Sequence, residues 1–255
     1  MTNAPAPLPA PVRRPPPFAR PLRVAGLLGP AIMVAGVVVP AVAYVGRAGQ
    51  PYSPLNHFIS ELGEIGVSPL AWVFNASLFV SGLLMAAFLG VLGWRLGSRT
   101  GKLAAVAGVV AGLGASAVGL TPMNDLVPHL RMAFTFFWGG LAAVALFTSA
   151  VLRDGGRHLP RWLAGPGVVA IVAFAAFLAW PFYDGPPDTR MLDPISGVPR
   201  PAVWMHTVLE WAVLVSVLAF IVCGGVAWRS GGTGLPPGIR LPPRKDSGGS
   251  RPPGT

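Results

Sequence analysis

The residues of this chain that can move protons or hold a metal are few, and they recur at one spacing. His57 and Glu61 are four apart, as are Asp125 and His129, and His206 and Glu210. On a helix, residues four apart share a face. Each pair sits in or beside a polar segment bordered by long apolar runs: "NHFISELGEIG" (56–66), "TPMNDLVPHLR" (121–131) and "RPAVWMHTVLEW" (200–211). Three chemistries suit such a set. His57, Asp125, His129 and His206 are candidate ligands of a divalent metal such as zinc, which would activate water with Glu210 or Glu61 as base. Ser60, beside Glu61 and three residues from His57, is a candidate nucleophile, although that spacing is unlike most triads. Two histidines could ligate haem, but nothing places a pair at equal depth on facing helices. The candidate catalytic set is therefore Glu210, His206, Ser60 and Glu61. The structural alternative is that each buried histidine and acid satisfies the other and locks helix ends together. His158, in the basic stretch "RDGGRH", is read as solvated and outside the set.

The elements that must position these groups follow from composition. Of 255 residues 53% are apolar and only 11% charged, against about 25% charged in soluble domains. The deficit lies in long uncharged blocks, the mark of a membrane protein. The net charge of +10 does not point to nucleic acid, because the basic residues are dotted between apolar blocks rather than gathered into a patch. Cys223 is the single cysteine, which excludes an intramolecular disulfide.

A bilayer-crossing helix needs about 20 mostly apolar residues. Uncharged runs predict six, over about 24–46, 69–94, 103–122, 131–152, 162–182 and 202–228, the last broken only by Glu210. The expected architecture is all-α: a polytopic six-helix bundle over 23–229 with Pro-rich disordered tails at 1–22 and 230–255. Of the nineteen Lys and Arg residues, only Arg47, Arg131, Arg190 and Arg200 flank one set of helix ends; the rest flank the other. The positive-inside rule then places both termini in the cytoplasm and the three polar segments at the outer face of the cell membrane. A rival reading of the first span, cleavage after Ala41-Val42-Ala43, conflicts with its long apolar region and the Pro-rich stretch before it. In the third span Gly108, Gly112 and Ser116 form a row of small residues, which predicts close approach by a neighbouring helix and a central place in the bundle; dimerisation is the alternative. If the sixth helix starts near Pro201, Glu210 lies about 13 Å along it, inside hydrocarbon, where an acid must face the bundle interior and find a partner. His206 is the expected partner. Asp125 is expected to cap the fourth helix, with Pro128 tolerated in its first turn.

"HFISELGEIGVSPLAWVFNASLFVSG" (57–82), "GLTPMND" with "PHLRMAF" (119–134) and "HTVLEW" (206–211) resemble the domain-of-unknown-function 998 family of six-helix membrane proteins. That family is distantly similar to the Frag1/DRAM/Sfk1 group, some of whose members act in lipid remodelling or autophagy. The resemblance covers most of 25–228 and implies a fold rather than an activity. The chain departs from the common family pattern by inserting Met123 and Asn124 before Asp125 and by carrying a single histidine, His129, at the fourth helix. Both departures count against a metal site. The sequence thus leads to a polar His/carboxylate pocket at head-group depth, acting on or binding lipid or lipid-linked head groups. The alternatives are a non-enzymatic accessory envelope protein and, with no clear inverted repeat, a transporter in third place.

Overall fold

A computed structural model describes residues 19–181, 190 and 198–227. The two expected tails, apart from 19–22, and residues 182–189 and 191–197 of the connection before the sixth helix lie outside the described residues. Among the described residues six α-helices follow one another: α1 Ala19–Ala43, α2 Ala71–Arg95, α3 Arg99–Leu120, α4 Leu126–Asp154, α5 Ala164–Ala179 and α6 Met205–Ala227. Short 3₁₀ turns occur at Ile59–Gly63 and Arg161–Leu163, and there is no strand among the described residues. All six helices, α5 counted with the turn before it, are long and apolar enough to cross a membrane. The chain is all-helical and multi-pass.

Helix ends are set by caps rather than by the first charge. α3 starts at Arg99 because the Ser98 hydroxyl accepts the Gly101 N–H at 3.0 Å, so Arg99 and Lys102 belong to the helix. α4 takes in Arg131 and ends at Gly155, whose φ of 67° suits the left-handed stop that glycine adopts freely. α1 passes unbroken through Pro30 and Pro40. α6 starts at Met205, not Pro201, so Glu210 lies only about 7.5 Å from the start of its helix at 1.5 Å per residue.

Each helix packs on its chain neighbours, and α6 returns to α1 to close a six-membered ring. Among the described helices α3 packs on α2 and α4, so it is one wall of the ring rather than its hub. Its small-residue row is nonetheless used within the chain: a Cβ on Gly108 would lie 2.7 Å from the Cβ of Leu89, and one on Gly112 2.7 Å from the Cβ and N of Ala86, both on α2. Phe88, Phe147 and Phe174 fill the ring interior, while Val38, Val106, Val172 and Val215 face outward. Helices apolar on both faces suit a ring with lipid outside and core within. The Ile59–Gly63 turn packs on α1, α2 and α6 and plugs one end of the ring.

Candidate functional site

The plug is built from the segment 56–66, tied to three other parts of the chain. Glu61 is 3% exposed. Its carboxylate accepts the Phe58 N–H at 2.7 Å, closing the turn locally. The Arg200 guanidinium grips it from across the ring, Nη1 at 3.0 and 3.1 Å and Nη2 at 3.1 Å. Arg200 also donates to the Asn56 carbonyl at 2.8 Å. Burial pushes the Glu61 carboxyl above the usual carboxylate range, with Arg200 opposing. Glu64 pairs with Arg47, and Asn75 of α2 donates to the Gly63 carbonyl at 2.9 Å. Asn124 binds both backbone groups of Ile65, accepting its N–H at 2.8 Å and donating to its carbonyl at 2.9 Å. Met123 and Asn124, the residues that depart from the family pattern, are thus the ones that reach the plug: the Ser60 hydroxyl lies 3.5 Å from the Met123 sulfur.

His57 stands behind the plug in an aromatic box, its ring 5.5 Å from Tyr44 and 5.4 Å from Tyr52. Its Nδ1 accepts the Ser53 N–H at 3.3 Å. In the neutral ring the proton is therefore on Nε2, which is buried and has no hydrogen-bond partner among the described residues. Burial, then the charge of Arg200, lowers the His57 pKa from the ordinary 6.5 to about 4. The sign of the consequence is fixed. As pH falls through 6.5 the unfolded chain takes up a proton at His57, and the folded chain does not until about 4, so this group's stabilisation is full above that window and is lost on acidification. Thermal unfolding at pH 7.5 and pH 5 is expected to show a smaller acid-induced fall for His57→Phe than for the natural chain. Equal falls would mean the ring is solvated.

Below the plug lies a cavity of about 90 Å³, several times the roughly 10–15 Å³ that one water needs. α1, α2, α3, α4 and α6 line it, mostly with apolar side chains such as Met33, Phe74, Phe137 and Val213. Its polar groups are Ser60 from the plug, Ser81, His129 and Glu210. Glu210 accepts the Ile59 N–H at 2.7 Å, so α6 holds the plug from beneath. Nδ1 of His129 lies 2.8 Å from the Thr121 carbonyl oxygen. A carbonyl only accepts, so Nδ1 carries the proton and Nε2 of the uncharged ring is an acceptor.

The structure thus groups the candidates differently from their spacing. Ser60, His129 and Glu210 share the cavity. Glu61 and His57 lie within the plug: Glu61 turns to Arg200 rather than to His57, because the extended residue Phe58 and a 3₁₀ turn separate them and only an α-helix would stack them. Asp125 occupies the N-cap position of α4, but its side chain makes no capping bond, and His129 turns back to Thr121. His206 is buried with its ring 6.4 Å from Trp204. His57, Asp125, His129 and His206 do not converge: among the described residues no three His, Cys, Asp or Glu side chains are gathered to hold a metal ion. His158 is exposed, as expected of a solvated residue, but its spacing to an acid is passed over in the sequence reading. His158 is also four residues from an acid, Asp154, and this is the pair that closes, Nδ1 to Oδ1 at 2.6 Å, with the His158 N–H on Oδ2 at 2.7 Å.

Arg200 is the residue that spacing did not bring forward, since it enters the sequence reading only as a topogenic charge. Its signal is its position, enclosed by Pro199 and Pro201 as one of four basic residues on an acid-rich set of ends. The model of one family, described as Protein of unknown function (DUF998), matches residues 27–227. No curated protein and no solved structure matches.

Proposed function

From the premise that this chain belongs to the DUF998 family, whose function is unknown, we propose that it binds the end of one membrane amphiphile in the interior of the ring, the polar end beneath the plug and only the first few carbons of its chain in the cavity. One observation carries this reading: a cavity of about 90 Å³ lined by apolar side chains of five helices, with Ser60, His129 and Glu210 as its main polar groups. Concave, largely apolar sites with a few placed polar groups are where small ligands bind. The distribution of Lys and Arg supports a cell-membrane orientation with both termini cytoplasmic, which sets the plugged end at the outer head-group level.

The test is photolabelling of the full chain in nanodiscs with a dodecyl diazirine. Peptides carrying Phe137 and Val213 are expected to be labelled, and Ala133→Phe, which adds a ring to the lining, is expected to remove most of that label while leaving the melting temperature near that of the natural chain. Label confined to outward residues such as Val215, or unchanged by Ala133→Phe, would overturn the proposal.

A second reading rests on a different observation. Several polar side chains in and around the plug are spent on one another or on its backbone, through Arg200 to Glu61, Asn75 to the Gly63 carbonyl and Asn124 to the Ile65 backbone. That pattern supports an accessory envelope protein whose polar groups only hold helix ends together. On this reading Glu210→Gln lowers the folded yield and leaves no ligand-dependent difference in what does fold.

A further inference from the structure

We infer that the polar end of the amphiphile is a hydrogen-bond donor without negative charge, a hydroxyl or an ammonium, and not a phosphate or a carboxylate. The inference rests on the cavity reading above and concerns its head-group class. It follows from what each polar lining group has left to offer. The Ser81 hydroxyl spends its proton on the Gly29 carbonyl at 2.8 Å, leaving oxygen lone pairs. His129 spends its Nδ1 proton on the Thr121 carbonyl at 2.8 Å, leaving Nε2 as an acceptor in the uncharged ring. The Ser60 hydroxyl points its proton at the Met123 sulfur, a weak acceptor, at 3.5 Å. Glu210 brings a carboxyl, one oxygen of which already holds the Ile59 N–H.

The remaining capacity is thus mainly for accepting hydrogen bonds. Among the described residues, no Lys or Arg lines the cavity. The half-buried guanidinium of Arg200, close to the plug, is held by Glu61 and the Asn56 carbonyl. An anionic head group would enter a low-dielectric space beside a carboxyl with no cation to meet it, which is costly in any protonation state of Glu210. A hydroxyl can donate to Nε2 of His129 or to a carboxylate, and can accept from a protonated carboxyl. An ammonium can donate to all of them.

The experiment uses the full chain in nanodiscs and five dodecyl diazirine probes that share one chain: the alcohol, the ammonium, the phosphate, the carboxylate and the headless alkane. Label on the Phe137 and Val213 peptides is read against probe mole fraction. The alcohol or the ammonium is expected to reach half-labelling at about tenfold lower mole fraction than either anion, the value of one good buried hydrogen bond. The two arms show which donor is preferred. An anion that labels as well as the alcohol and the ammonium overturns the inference while the cavity reading stands, as does equal labelling by all five. Absence of cavity label from every probe, the alkane included, removes the cavity reading and the inference with it.

Discussion

Arg200→Ala is expected to lower stability by about 3–5 kcal/mol, the cost of leaving a buried charge without its partner. Glu61 is 3% exposed and, among the described residues, has Arg200 as its cation. The alanine removes three donor contacts to the carboxylate and a fourth to the Asn56 carbonyl. Thermal unfolding of the purified protein in one detergent checks the size. Arg200→Ala combined with Glu61→Gln should recover much of the loss, because the double variant buries no unpaired charge. Arg200→Lys should fall between, since an ammonium cannot reproduce the guanidinium fork. A loss below about 1 kcal/mol would place the pair among solvated surface bridges and detach the plug from α6 energetically.

The second large effect is expected at the α2–α3 contact. In Gly112→Val the new Cβ would start 2.7 Å from both the Cβ and the backbone N of Ala86, and a Cβ on Gly82 across the same contact would meet the Gly112 carbonyl at 2.6 Å. Backbone cannot move aside as a side-chain tip can, so the two helices must separate along their small-residue seam. A loss of about 3 kcal/mol or more is expected, at the upper end for overpacking, read as a lower melting temperature and reduced folded yield. Gly165→Ala on α5 is the control. Nothing lies within 4 Å of its Cβ position, and alanine gains up to about 1 kcal/mol of helix propensity, so it should melt at or above the natural temperature. A Gly112→Val protein that melts with the natural one would mean that α2 and α3 are not in backbone contact. Because Gly112 borders a smaller cavity beneath the one already described and not that cavity itself, the variant should leave the photolabelling of Phe137 peptides unchanged in whatever fraction folds.

The six spans and the all-α class are legible in the sequence because bilayer thickness is a local requirement. A run such as 103–124 must supply its own apolar length and satisfy its own backbone, whatever the rest of the chain does. The seam at Gly108, Gly112 and Ser116 is legible for the same reason, since only small residues let two backbones meet in lipid. The partners of the polar residues are not local. Glu61 is held by Arg200, 139 residues away, and Glu210 by the amide of Ile59, 151 residues away. Those distances close only because α6 returns to α1 and completes the ring. The four-residue spacing that suggested His57 with Glu61 assumes an α-helix, whereas the chain there is extended and then 3₁₀, which aims the two side chains apart. The same assumption passes over Asp154 and His158, where the helix ends and the turn folds the histidine back onto the acid. Sequence alone therefore determined which segments lie in the membrane and which residues are too polar to face it. Tertiary structure decided which of those residues meet, because a buried polar group takes the partner that ring closure delivers, not the one nearest in the chain.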